Sequence, residues 1–124
     1  MYNRSLLLEL LLEIDEAIRR IERRFAGIQS PDDFTCNDDG LDRLDGISMM
    51  LIAISENIRR IEEATDSKLE DEELSIDWES IKGIRNILAH DYFNIDPDEI
   101  YVICSHDLGH LKQAIAQLRN NIFS

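Results

Sequence analysis

Residues 4–25 read RSLLLELLLEIDEAIRRIERRF, and their spacing decides the fold. Leu7, Leu11, Ile14, Ile18, Ile21 and Phe25 step by four and three residues, which is one stripe of an α-helix. Leu6, Leu8, Leu10 and Leu12 widen the apolar surface beyond that stripe. A helix end that is apolar on more than one side is covered on more than one side, so a subunit contact is expected there. Arg19, Arg20, Arg23 and Arg24 lie opposite, with Asp15, Glu16 and Glu22 in reach for intrahelical pairs.

The same period continues along the chain. Leu44, Ile47, Leu51, Ile54, Ile58 and Ile61 mark a second helix from about Leu41 to Ala64. Between the two, Ser30-Pro31-Asp32-Asp33 reads as an N-cap, a first-turn proline and carboxylates, and Asn37-Asp38-Asp39-Gly40 closes that short turn. The aspartates resemble the start of a calcium loop, but its other ligand positions and terminal Glu are missing, so caps and turns are expected. Asp77 caps a third helix whose inner face carries Trp78, Ile81, Ile84 and Leu88. Asp96-Pro97-Asp98-Glu99 opens a fourth through Tyr101, Val102 and Cys104. Gly109 marks a possible break, and Leu111, Ile115, Leu118 and Ile122 form the last stripe. No strand alternation interrupts the pattern. The expected fold is all-α: an antiparallel up-and-down bundle of four to five helices, one domain over residues 1–124.

Composition narrows the function. With 2 Pro and 5 Gly the chain lacks the turns of a β-sandwich. No apolar run approaches the ~20 residues of a membrane span, and Glu9 and Glu13 interrupt the leucines where a secretory signal would be continuous. A cytoplasmic protein with Cys36 and Cys104 as free thiols is expected. The net charge of -13 argues against gripping nucleic acid by bulk electrostatics. Much of the excess sits between Glu62 and Glu79, where nine acids stand against Lys68 alone. That segment reads as a solvated loop or as a docking surface for a basic partner.

The chemistry gathers in residues 83–93, GIRNILAHDYF. With Arg85 as origin, Ile81, Ile84 and Leu88 fall on the core side of a helix, and Asn86 and His90 lie away from it. If the helix persists, Tyr92 returns to within roughly 20° of Arg85. Arginine offers a donor fork that fits a phosphate, and histidine moves protons near neutral pH. Together they are a minimal kit for metal-free RNA cleavage. In that chemistry His90 is base on the 2′-hydroxyl or acid on the leaving oxygen, and Arg85 stabilises the phosphorane. An ordinary salt link and helix cap is the plainer reading of Arg-x4-His alone.

Other groupings weigh less. His106 and His110 are spaced i,i+4 and could chelate a metal, yet no third ligand has structural-zinc spacing. Cys104 near His106 could be a nucleophile, but Val102 and Ile103 point to a packed helix. Ser48-Met49-Met50 reads as core.

Residues 85–93 with Ile95-Asp96, Ile100 and Asp107-Leu108 resemble the HepT-like toxins of the HEPN superfamily, and Trp78 before the motif fits too. Their mark is Arg, four residues, His, one residue, Tyr, which Arg85, His90 and Tyr92 match without a gap. The resemblance is specific over residues 77–111 and generic before them. Gly109 stands where relatives often have Pro. The resemblance implies a homodimer whose two Arg/His motifs face a shared cleft. It implies a cofactor-free, metal-independent endoribonuclease acting on tRNA or mRNA, the toxin of a type VII-like toxin–antitoxin pair. It further implies Arg85 and His90 as catalytic residues with Asn86 in support. The partner would be a minimal nucleotidyltransferase antitoxin that moves AMP from ATP onto Tyr92, whose phenol is expected at the mouth of the site. Two other classes remain: a non-catalytic HEPN subunit presenting substrate to a nucleotidyltransferase, and a plain dimeric scaffold.

Overall fold

In the computed structural model, which describes residues 3–66 and 76–123, every regular element among those residues is helical. Helix α1 spans Arg4–Phe25, α2 Asp38–Thr65, α3 Trp78–His90, α4 Pro97–Val102 and α5 Leu108–Phe123. Single 3-10 turns occupy Pro31–Phe34 and Tyr92–Asn94, and a π-helical turn at Ile103–Asp107 joins α4 to α5. Residues 67–75, the middle of the acidic segment, lie outside the described residues.

Side-chain caps explain where the helices start. The side chains of Asn3, Asn37, Asp77 and Asp96 accept from the backbone N–H of Leu6, Gly40, Ser80 and Asp98. Asn37 therefore begins α2 about three residues before the spacing of its apolar stripe suggests. Asp38 and Asp39 sit in its first turn, where the helix dipole favours carboxylates. Gly40 is required there. A Cβ at this position would lie 2.0 Å from the Asp33 carbonyl oxygen, so only glycine lets α2 press against the 31–34 turn. Ser30 makes no side-chain cap; the turn is closed instead by Asp33, whose carboxylate accepts from Gln29 N at 2.7 Å.

Long-range bonds fix the directions. Asn57 on α2 donates to the Leu10 carbonyl and to Glu13 on α1, while Arg43 near the start of α2 donates to the Arg24 and Ala26 carbonyls at the end of α1. These pairs run antiparallel. Lys112 and Arg119 on α5 reach Glu22 and Asp15 on α1, again antiparallel. Asp15 and Glu22 are thus used between helices, and Arg19 and Arg20 share Glu16 instead. The all-α antiparallel bundle expected from the stripes is what forms, with α1 between α2 and α5, and α3 on α2.

The core is those stripes. Leu7, Leu11, Ile14, Ile18 and Ile21 from α1, Leu44 through Ile61 from α2 and Leu111, Ile115 and Leu118 from α5 are buried, with Trp78, Leu88 and Phe34. Of the additional leucines, Leu10 is buried and Leu6 packs against the core, while Leu8 and Leu12 are exposed. In the Ser48-Met49-Met50 run, Ser48 is buried and Met50 packs against the core, while Met49 points outward and is 60% exposed. Gly109 sits within α5, and the irregularity expected there falls earlier, in the π turn. No helix among the described residues is long and apolar enough to cross a membrane.

Candidate active site

Helix α3 carries its apolar residues inward and its polar ones out. Trp78 and Leu88 are buried, Ile81 and Ile84 pack against the core, and Arg85, Asn86 and His90 are exposed. Five residues of helix are roughly 140° of rotation, so Arg85 and His90 diverge. Arg85 leans onto α2, where its Nε meets the Glu56 carboxylate. The side chains of Asn86 and His90 make no hydrogen bond among the described residues and are left to solvent or a ligand.

Tyr92 departs from its expected place. The helix ends at His90 because Asp91 leaves the helical region, with φ -152° and ψ 61°. The Asp91 carboxylate and carbonyl then accept from the Asn94 side chain and backbone, which closes a 3-10 turn over 92–94. That turn swings Tyr92 back onto α2. Its ring is half-buried against the core, and its hydroxyl donates to the Asp45 carboxylate. Burial, and then the Asp45 carboxylate, push the phenol up to about 12, with the Ser48 hydroxyl acting the other way. The phenol is therefore not at an open mouth beside Arg85, as an unbroken helix would place it.

Among the described residues, three polar rungs join α2 to α3 and the turn that follows it: Lys82 on Glu62 at 2.8 Å, Arg85 on Glu56, and Tyr92 on Asp45. Glu56 and Asp45 escape a reading of residues 83–93 alone. A signal for them exists in the helical period. Eleven residues are close to three turns, so Asp45 and Glu56 fall on one side of α2, about 16 Å apart along its axis. Glu56 is itself braced. Its second oxygen holds Arg59 at 3.2 Å, and Arg59 reaches Glu63 at 2.6 Å. Arg59 first, then Arg85, holds the Glu56 carboxyl below the usual carboxylate range.

On the other side of α3, a cavity of about 620 Å³ opens toward α4 and the π turn. Ile81, Ile84, Ile87, Ile100, Val102 and Ile103 line much of it. Ile87 and Val102 are about half exposed, and Phe93 just past the motif is 98% exposed.

The remaining groupings do not assemble. His106 lies in the π turn and His110 in α5, both exposed, and no three His, Cys, Asp or Glu residues cluster to hold a metal among the described residues. Cys104 is a free thiol, buried and pushed up to about 12, which suppresses the thiolate a nucleophile needs. Cys36 is free and exposed.

The family model described as Ribonuclease HepT-like matches residues 14–118. The chain belongs to this family. The match begins inside α1 and ends inside α5, so it encloses the α2–α3 seam and the whole Arg85–Tyr92 array. No curated protein and no solved structure matches the chain. As a HepT-like ribonuclease, it has RNA as the substrate class to which the array is to be related.

Proposed function

We propose that this HepT-like chain, a single domain, is a metal-independent endoribonuclease toxin. The observation that carries the reading is the exposed Arg85 and His90 on α3, inside a span that the ribonuclease family covers. Arg85 binds the scissile phosphate and stabilises the charge that builds on it. His90 takes the 2′-hydroxyl proton or delivers one to the leaving 5′-oxygen. Asn86, one turn before His90 on the same face, supports RNA placement.

A second copy completes the site in this proposal. Roughly 140° separates Arg85 from His90 around α3, so one chain does not aim both at one phosphate. Two α3 helices facing each other would set the His90 of one beside the Arg85 of the other and supply both an acid and a base. The exposed Ile87 on α3, Val102 across the apolar groove and Phe93 just past the motif offer apolar surface for this contact. The exposed Leu8 and Leu12 of α1 offer another apolar surface.

Tyr92 is the regulatory residue in this reading. A minimal nucleotidyltransferase antitoxin transfers AMP from ATP to the phenol oxygen and releases pyrophosphate. The phenol is hard to ionise here, so the partner enzyme must supply the base. Asp45 repels the new phosphate, which drives the modified side chain out of its seat on α2 toward the Arg85 guanidinium.

Total cellular RNA incubated in EDTA tests the enzyme. Wild type is expected to cleave it and leave 2′,3′-cyclic phosphate or 3′-phosphate ends, and His90→Ala is expected not to. Cleavage that depends fully on magnesium, or that leaves 3′-hydroxyl ends, refutes the mechanism. Mixing with a cognate nucleotidyltransferase and ATP tests the regulation: mass spectrometry should place AMP on the Tyr92 peptide, and AMP on Tyr2 or Tyr101 instead refutes that assignment.

A further inference from the structure

We infer that Glu56 is the positioning residue for Arg85, holding the guanidinium by its Nε so that its two terminal nitrogens face the RNA phosphate. The inference rests on the reading of Arg85 as the phosphate-binding residue.

The geometry is specific to one edge of the fork. A guanidinium presents five N–H donors, one on Nε and two on each terminal nitrogen. Glu56 takes the Nε edge, and among the described residues no other group engages Arg85. The terminal pair, the edge suited to bidentate phosphate binding, stays open. The side chain is 52% exposed, so packing alone does not hold it; without Glu56 its rotamers are free. Glu56 cannot swing away easily either, because its other oxygen is on Arg59, and Arg59 is tied to Glu63 one turn on. Arg85 on α3 is thereby registered against α2 before substrate arrives, which is the preorganisation that a charge-stabilising group needs.

The carboxylate has a second, opposite effect. It brings negative charge close to an incoming phosphate, so it weakens ground-state RNA binding while it orients the fork. Arg59 offsets part of that charge. Position and charge can therefore be separated by substitution. In Glu56→Gln the amide oxygen still accepts from Nε but the charge is gone. In Glu56→Asp the charge remains but falls one methylene short of Nε. An exposed pair of this kind adds little to stability, so neither substitution should alter the fold.

The test measures kcat and KM on total cellular RNA in EDTA for wild type, Glu56→Asp, Glu56→Gln, Glu56→Ala and His90→Ala, with thermal melts of each. Misplacing a reacting group by about 1 Å can cost about 100-fold. Glu56→Asp and Glu56→Ala are thus expected to lose about 10- to 100-fold in kcat without a matching rise in KM. Glu56→Gln is expected to recover most of that kcat, with a lower KM than wild type. The Nε–Hε signal of Arg85 by nitrogen-15 NMR, assigned by its absence in Arg85→Lys, should be sharp in wild type and Glu56→Gln and exchange-broadened in Glu56→Asp. Equal kcat in wild type and Glu56→Asp overturns the inference. So do equal losses in Gln and Asp, which would make charge rather than orientation the cause, and an Arg85 signal indifferent to Glu56. If wild type cleaves no RNA, or His90→Ala cleaves as well as wild type, the ribonuclease reading itself fails, and the NMR contrast alone then reports on the Glu56–Arg85 contact.

Discussion

Replacing His90 and Leu88 by alanine, two residues apart on α3, separates a chemical role from a structural one. Leu88 is 3% exposed and reaches the core across the α2–α3 seam. Truncation leaves a cavity and should cost about 2–5 kcal/mol. For a domain of this size each kcal/mol is about 3–5 °C in Tm, so Leu88→Ala should melt about 6–25 °C lower. His90 is exposed, and its imidazole makes no hydrogen bond among the described residues. Its one structural contribution is as a cation in the last turn of α3 when protonated, worth about 0.3–1 kcal/mol. Alanine is the better helix former and returns about half a kcal/mol. His90→Ala should therefore melt within about 2–3 °C of wild type near neutral pH. Its RNA cleavage should nonetheless fall by about 100- to 10,000-fold, the range of general acid–base help. Circular dichroism melts and cleavage of cellular RNA on the same preparations give both numbers. A His90→Ala protein that melts as low as Leu88→Ala would refute the reasoning, because the histidine would then be part of the core.

Three further outcomes follow from the geometry. Gly40→Ala should destabilise by about 1–3 kcal/mol through its clash with the Asp33 carbonyl, while Gly109→Ala, with nothing within 4 Å of the added Cβ, should gain up to about 1 kcal/mol; denaturant melts that fail to differ in sign would count against the tight 31–40 corner. In an absorbance titration Tyr92 should ionise near pH 12, and Asp45→Asn should lower that midpoint without returning it to the ordinary value of about 10, because burial is the larger cause. As the folded value lies above the unfolded one, the stability this phenol contributes is complete below pH ~10 and lost as pH rises toward 12, which alkaline unfolding of wild type against Tyr92→Phe would show. A thiol reagent should label Cys36 at once and Cys104 only on unfolding; two fast thiols would contradict the packing of the π turn.

The bundle was legible because its apolar stripes are local: each helix announces its buried face within its own residues, and Asp77 and Asp96 announce two starts. The start of α2 was less so, since Asn37-Asp38-Asp39-Gly40 reads equally as a turn and as a cap with an acidic first turn. On α3 the period placed Arg85, Asn86 and His90 off the core correctly. It failed at Tyr92, where Asp91 and Asn94 close a turn that a 3.6-residue period does not contain. Glu56 and Asp45 were not legible from the motif itself, because their partners lie far along the chain; the helical period puts them on one side of α2 but does not say what they meet.

Asn57 also shapes the seam on which the site is built. Both α1 and α2 present a branched aliphatic residue every three or four positions, so a slide of one full turn, about 5.4 Å, would set side chains of similar volume back into similar gaps. Hydrophobic contact alone barely distinguishes those alignments. Asn57 tells one of them apart: it is buried, and its amide donates to the Leu10 carbonyl and the Glu13 carboxylate, whereas a slide that sets Ala17 in place of Glu13 loses the carboxylate. A lost partner of this kind costs about 1–3 kcal/mol. That side chain helps to index α2 along α1. Because Glu56 stands next to it and Asp45 about three turns away on the same rod, Asn57 helps to set the height at which α2 meets Arg85 and Tyr92 from another face of the helix, though it touches neither.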